Sequence, residues 1–396
     1  MPRYNCRDAV WFWLVAIIRY TEKVKDGESI LGESVLRLYP TDEVEYGEQT
    51  KVTEPLSATM FEALSRHFLG IDFRERNAGH RIDEHMRDEG FNVKAYIDGH
   101  SGLIFGGNRW NCGTWMDKMG SSERAGNRGE PATPRDGAAV ELQGLALCVA
   151  RGLDRLCRDG AFPYNGMKGE SSSFLSWSDW AAKIQHSFEQ HFFVDHNCQS
   201  EFVHRRPIVK DSFGASLAFA DFQLRPNFCI ALNASPDILP LKKHGPLWKL
   251  EAKFWRKMLR TEFVLWTQKI GLTTAFTTTT MMGRTESVPR DGITTRDRNG
   301  FGLPRSGDSS AWLSAVGEIR QRLFALEQCL NRSDWASLPE LTNRAGAFCA
   351  HSCPAQAWSV GCVMETLDTL EAMEKEGMNL EGRQSDRRAN DKQKKH

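Results

Sequence analysis

The sequence predicts an all-α protein, and three observations carry that expectation. Apolar residues recur at helical spacing over long windows, alternating strand-like runs are few, and long loops rich in Gly, Asn and polar residues separate the windows. The clearest helix runs from about Ala138 to Cys157. Val140, Leu145, Cys148, Val149, Leu153 and Leu156 share one side of it, and Asp159-Gly160 followed by Pro163 forms a stop signal. A second runs from about Pro354 to Glu374, with Trp358, Cys362, Val363, Thr366, Leu367, Leu370 and Met373 on one side; Pro354 suits a first turn, where its missing N–H costs nothing. Shorter helical windows lie near 8–20, 55–69, 177–193, 247–260 and 311–329. The long loops are 98–137, 195–227 and 331–353.

Composition narrows the class. Lys and Arg (51) balance Asp and Glu (51), so no basic stripe points to nucleic acid and the chain reads as soluble and globular. The apolar run Ala9–Ile18 is too short to span a bilayer. Arg19, Tyr20, Thr21, Glu22 and Lys23 follow it, where a signal peptide would carry small residues. A buried helix, no membrane partner and a cytoplasmic address are therefore expected. The ten cysteines are scattered, which suits reduced thiols. Cys349, His351 and Cys353 have metal-ligand types but no second pair nearby, so no metal is assigned. Residues Leu272–Ser310 lack apolar periodicity, and the chain from about Gly377 is a charged tail that reads as disordered, ending a domain over residues 1–375.

Chemistry concentrates in three loops. Phe105–Gly120 mixes the flat apolar faces of Trp110 and Trp115 with the directional groups of Asn108, Arg109, Asn111 and Asp117. A sugar presents both kinds of surface. Glycines at 106, 107, 113 and 120 allow tight turns and close approach to a ligand. Asp117 stands among Trp115, Met116 and Met119, where burial would favour a general acid; Lys118 argues the other way if its ammonium turns toward the carboxylate. Arg135 and Asp136 precede the strongest helix, either as a helix-terminal pair or as donor and acceptor to sugar hydroxyls. Glu340 follows Pro339, which biases Leu338 away from helix and leaves the Glu in an extended loop.

Together these stretches resemble the C-terminal glucosidase region of eukaryotic glycogen debranching enzymes. The matching pieces include Pro2-Arg-Tyr-Asn-Cys-Arg-Asp-Ala-Val-Trp11, Phe73–Gly79, Asp88–Asn92, Phe105–Gly120 and Pro131–Glu141. Further on come Lys210-Asp-Ser-Phe-Gly-Ala215, Leu224–Phe228, Leu338-Pro-Glu-Leu-Thr-Asn343 and Gln356-Ala-Trp-Ser359. The resemblance implies an (α/α)6 toroid of paired helices, incomplete at its N-terminal end, with the active site among loops at one end. It implies inverting hydrolysis of the α-1,6-linked glucose left at a trimmed glycogen branch, without metal or organic cofactor. Glycogen or limit dextrin is the implied partner, with a transferase domain supplied elsewhere. By the same carry-over Asp117 is the general acid and Glu340 the general base. Arg7 and Asp8 look like a sugar-gripping pair, and Trp358 joins the candidate sugar contacts. Residues 250–330 depart from the family pattern and lack its His-Gln-Gly-Pro-Glu-Trp stretch, as a shifted reading frame or mistaken exon would produce. The alternative is a glucan-binding fragment without catalysis, which would keep the aromatic and polar contacts but not hold two carboxyls at working distance.

Overall fold

The computed structural model describes residues 6–36, 52–111, 113–169, 173–195, 197–203, 208–223, 225 and 227–239 of a first compact unit. In a second unit it describes 320, 323–324, 326–340, 353–357, 359–361, 363–364, 366–367 and 370–371. The window at 247–260, the stretch 272–310, the charged tail, Cys349, His351 and Trp358 lie outside the described residues.

In the first unit the helices are α1 (Ala9–Lys23), α2 (Leu56–Leu69), α3 (Val140–Arg158), α4 (Trp177–Phe192), α5 (Ala218–Asp221) and α6 (Asn227–Ala234). The apolar run Ala9–Ile18 forms most of α1, which buries Trp11, Leu14, Ile17 and Ile18; among the described residues no helix is long and apolar enough to cross a membrane. Helix α3 is buried almost all round, and it ends where the stop signal lies. Gly160 takes a positive φ of 78° and the Ala161 N–H returns to the Leu156 carbonyl at 2.8 Å. Helix α4 opens on Ser176, whose hydroxyl accepts from the Asp179 N–H.

Glycines let α3 approach its neighbours. A Cβ on Gly144 would stand 2.4 Å from the Ala231 Cα of α6, and one on Gly152 would stand 2.4 Å from Ile18 of α1. On the remaining side, α4 sends Trp177 and Trp180 into the core. Their indole N–H groups reach the carbonyls of Tyr164 at 2.6 Å and Gly102 at 2.9 Å, which satisfies a polar group that burial would otherwise penalise.

Between the helices lie short strands that periodicity did not reveal. β3 (Ile71–Arg74), β4 (Asn92–Ile97) and β5 (Ile104–Gly106) form one antiparallel sheet. β6 (Ala138–Ala139) pairs with β11 (Ser212–Phe213), and β9 (Phe193–Val194) with β10 (Ile208–Val209). β1 (Ser34–Leu36) pairs with β2 (Thr53–Pro55), and β7 (Gly166–Lys168) with β8 (Phe174–Ser176). The architecture of this unit is thus helix-rich with small ribbons, rather than helices and loops alone. Gln143 staples the two kinds of element together: its side chain exchanges hydrogen bonds with both backbone groups of Ile104, at 2.9 and 3.0 Å.

In the second unit the described residues between 326 and 332 are helical, and those between 357 and 371 are helical too. The latter helix starts at 357, so Pro354 precedes it instead of opening it.

Gly144→Ala should destabilise the chain by about 1–3 kcal/mol, because the added methyl meets the α6 backbone rather than a yielding side chain. Gly361→Ala, in a helix with open space around it, should stabilise by about 0.5–1 kcal/mol. Chemical denaturation of both variants tests the contrast; equal stability of the two would contradict the close α3–α6 contact.

Candidate functional site

The loop from Gly106 to Gly137 is closed at its base. Gly106 and Gly137 exchange backbone hydrogen bonds at 3.1 and 2.9 Å. Gly137 needs its positive φ of 86°, and a Cβ there would lie 2.6 Å from the Phe213 carbonyl oxygen. Within the loop a second ladder holds the far side: Gly120 N–H reaches Glu130 O at 2.8 Å, and Ala132 N–H reaches Lys118 O at 2.9 Å. The glycines that predict close approach to a ligand instead approach the chain itself. A Cβ on Gly106 would lie 2.5 Å from the Lys94 carbonyl oxygen, one on Gly113 would lie 3.1 Å from Arg7 Nε, and one on Gly120 would lie 2.1 Å from the Asn127 carbonyl oxygen.

Arg135 is the centre of a buried charge cluster. Its Nε donates to Asp211 Oδ2 at 2.6 Å, and Nη1 donates to Glu141 Oε1 at 2.6 Å and Thr114 Oγ1 at 3.3 Å. Nη2 donates to Glu141 Oε2 and to the Asp211 carbonyl. All five N–H groups are thereby engaged within the protein. Burial works against the Arg135 charge, but Asp211 and Glu141 outweigh it and raise its pKa. Burial likewise pushes the Asp211 carboxyl up, while Arg135 and Arg225 hold it below the usual carboxylate range. Asp211 also accepts from Arg225 at 2.8 Å and from Asn227 Nδ2 at 2.8 Å.

The other expected site residues find their places around this cluster. Arg7 is buried and donates to the carbonyls of Arg135 and Gly137; burial, then Arg135, lowers its pKa to about 10, which leaves it charged. Asp8 accepts from the Trp115 N–H at 2.6 Å. Its pKa is raised to about 6, first by burial and next by Glu141, against the Trp115 hydrogen bond and the Arg7 charge. Asp136 does not cap α3, whose N-cap is Ala139. It accepts from both the N–H and the hydroxyl of Ser216. Asn108 and Asn111 brace the loop, donating to backbone carbonyls of Glu89, Gly90 and Asn92. Trp110 lies under two guanidinium groups, Arg87 at 4.2 Å and Arg109 at 4.4 Å from its ring. Trp115 is half-buried.

Four successive residues ahead of Asp117 are tied to this frame. The Gly113 carbonyl accepts from Arg7 N–H at 2.9 Å, Thr114 accepts from Arg135, Trp115 donates to Asp8, and Met116 Sδ receives Asn227 Nδ2 at 3.3 Å. Asp117 follows with its side chain 34% exposed and the Lys118 ammonium 2.9 Å from Oδ1. The ammonium does turn toward the carboxylate.

Glu340 belongs to the second unit. Its N–H donates to the Cys353 carbonyl at 2.8 Å, and Leu338 O accepts from Gln356 N–H at 2.8 Å. Ser359 Oγ donates to Pro339 O at 2.9 Å. The extended segment carrying Glu340 is thus stapled to residues 353–359. The carboxylate itself is half-buried and accepts from the Cys353 N–H at 3.4 Å.

Sequence reasoning did not single out Glu141, Asp211, Arg225 and Asn227. The available signal was Glu141 and Gln143 in the apolar first half of α3, since an unpaired buried charge is too costly to leave alone.

The profile of the family described as amylo-alpha-1,6-glucosidase matches residues 1–260 and 306–365 of this chain. The chain is 33% identical over 408 residues to the glycogen debranching enzyme of Saccharomyces cerevisiae, an alignment covering 92% of this chain and 26% of that enzyme. It therefore spans about a quarter of the length of this curated relative.

Two stability measurements test the frame. Arg135→Met leaves two buried carboxylates without their shared cation and should cost about 3–5 kcal/mol; a loss under about 1 kcal/mol would contradict the pairing. Between about pH 4 and 6 the folded chain holds a proton on Asp8 that the unfolded chain has released, so stability falls as pH rises through that window. Asp8→Asn keeps an acceptor for Trp115 and should remove that decline. Parallel pH–stability curves for the two proteins would refute the assignment.

Proposed function

Since this chain belongs to the amylo-alpha-1,6-glucosidase family, a family of glycoside hydrolases, we propose that it hydrolyses the α-1,6-linked glucose at trimmed glycogen branch points and releases free glucose. The observation that carries the reading is the tethering of residues 113–116 to the buried Arg135 cluster, which fixes the backbone of Asp117 while leaving its carboxyl at the surface. Pre-positioning of this kind is what a proton donor to a glycosidic oxygen requires. The wider arrangement we propose is the (α/α)6 toroid, a cytoplasmic setting, and a transferase domain that trims the branch first.

In the proposed reaction the Lys118 ammonium, 2.9 Å from Asp117 Oδ1 in the free chain, turns away as the sugar binds, and Asp117, then protonated, donates to the leaving oxygen. Glu340 as carboxylate takes a proton from water attacking the opposite face of the glucose ring, which inverts the anomeric carbon. Inversion of this kind requires two carboxyls roughly 6.5–9.5 Å apart, leaving room for the water. We assign Trp115 and Arg109 as sugar contacts from the loop side, with Trp110, whose ring carries Arg87 and Arg109, as a further one. Trp358 is proposed as a further contact. Arg7, Asp8, Arg135, Asp136, Asn108 and Asn111 serve the site by holding that loop through hydrogen bonds to protein groups.

Asp117→Asn and Glu340→Gln should each lower glucose release from phosphorylase-limit dextrin by at least about 100-fold, with unfolding transitions like that of the parent. Wild-type rates in either variant would exclude that residue. Glycogen co-sedimentation without glucose release by the parent chain would favour the binding-fragment alternative.

A further inference from the structure

The segment Lys210-Asp-Ser-Phe-Gly-Ala215 puts two opposite charges side by side, and the fold separates them. Asp211 enters the Arg135 cluster. Lys210 instead lines a cavity of about 460 Å³ at the C-terminal end of α4, together with Gln190, His191, Asp195, Cys198 and Phe222 among others. Its backbone is fixed there, since the Lys210 N–H donates to the Phe192 carbonyl at 2.9 Å. The described residues of the Asp117 loop take no part in lining this cavity.

Among the described residues no carboxylate lies within ion-pair distance of the Lys210 ammonium. The acidic groups around it are engaged elsewhere. Asp221 accepts from Ser212 Oγ at 2.9 Å and from the N–H groups of Gly214 and Ala215 at 3.0 and 3.1 Å. Asp195 accepts from the Asn197 N–H at 2.9 Å and from its side-chain amide at 3.3 Å. The ammonium has aromatic neighbours instead, the Phe213 ring at 5.2 Å and the Phe222 ring at 5.1 Å, the latter stacked on Phe202. Each ring face returns about 0.5–1 kcal/mol to a cation, but offers its N–H groups no lone pair. Burial accordingly lowers the Lys210 pKa, against the pull of Asp221 and Cys198. A lysine desolvated in this way carries more free amine at neutral pH than an exposed one, and the free amine is the form that attacks a carbonyl.

His191 stands beside it. The imidazole stacks on Phe213 with centroids 4.3 Å apart. Burial, then Lys210, lowers its pKa, so it is neutral near pH 7 and able to accept a proton.

We propose that Lys210 is a nucleophilic amine that takes up a small neutral aldehyde in this cavity as an imine, with His191 relaying the protons. The Nζ lone pair bonds to the aldehyde carbon, and the C=O electron pair moves to oxygen. Both amine protons end on that oxygen, which leaves as water while C=N replaces C–O. Amine and aldehyde thus give imine and water, reversibly and without oxidant or reductant. The cavity volume suits a small molecule, within the usual range of about 300–1,000 Å³, and the carboxylates of Glu189 and Asp195 in its wall disfavour an anionic one. This chemistry stands whether or not the chain releases glucose.

Reductive labelling of the whole chain with glycolaldehyde and cyanoborohydride at pH 7, mapped by peptide mass spectrometry, tests the site. Cyanoborohydride reduces the imine and fixes the adduct. Lys210 should be labelled at least about threefold faster than the exposed Lys25 and Lys168. Lys210→Met should abolish the fast phase and leave the melting temperature unchanged. His191→Gln should slow labelling at Lys210 and leave Lys25 and Lys168 as they were, a selectivity that a structural role for His191 would not give. Parent protein in which Lys210 reacts no faster than Lys25 and Lys168 would overturn the proposal, and parental labelling of Lys210 in His191→Gln would overturn the relay. Glucose in place of glycolaldehyde separates two sources of the carbonyl: adducts from both extend the site to open-chain sugars, and an adduct from glycolaldehyde alone confines it to short aldehydes.

Discussion

Arg135 is the residue on which the first unit's loop architecture depends. One guanidinium, wholly inside the protein, engages Glu141 from the first turn of α3, Asp211 from the segment before β11 and Thr114 from the long loop. Only arginine offers a planar fork that can serve two carboxylates and a hydroxyl at once; lysine has three donors on one atom and cannot match the geometry. Taking such charges out of water is expensive, so the cluster is not in itself a source of great stability. Its effect lies in the penalty for any other arrangement: moving the loop off Arg135 leaves buried carboxylates unpaired.

That penalty passes along the chain to the candidate acid. Asp211 holds Asn227, Asn227 holds Met116, and Asp8 holds Trp115. Each tether reaches a different residue of the same short stretch, so the backbone before Asp117 has little freedom to shift. The loop is long, and long loops are ordinarily where a chain is least defined. Here its base is closed by the Gly106–Gly137 pair and residues 113–116 are held by hydrogen bonds to the buried cluster and its neighbours. Glu340 receives a different kind of support: backbone and hydroxyl bonds from 353–359 clamp the Leu338–Glu340 segment without any buried ion pair among the described residues. A tethered candidate acid and a locally stapled candidate base suit the proposed reaction, in which separation of the two groups fixes the stereochemical outcome.

Much of this was legible in the residues. The helices at 9–23, 56–69, 140–158 and 177–192 follow from apolar periodicity and their stop and cap signals, because long amphipathic stretches leave little ambiguity. Helix α6 was not readable: eight residues give barely two turns, and its apolar run could equally be strand. The small sheets escaped notice for a related reason, since most of their strands are two or three residues long and carry no period, and even β4, the longest, has only six. The concentration of Gly, Trp, Asn and Asp in 105–120 marked the site loop, but residue type could not separate the side chains that brace it from those that face outward. Arg135 shows why. In sequence it is equally a sugar ligand or a structural ion, and only Asp211, 76 residues on, decides between them.

The proposed reaction assigns Asp117 as its acid and Glu340 as its base. The most direct measurement is a crystal structure with a glucose-shaped iminosugar bound, reading the distance between the two carboxyl groups across the ring. An inverting site gives roughly 6.5–9.5 Å, with an ordered water beside Glu340. Carboxyls about 5 Å apart would point to a retaining reaction, and an inhibitor seated away from Asp117 would contradict the assignment outright.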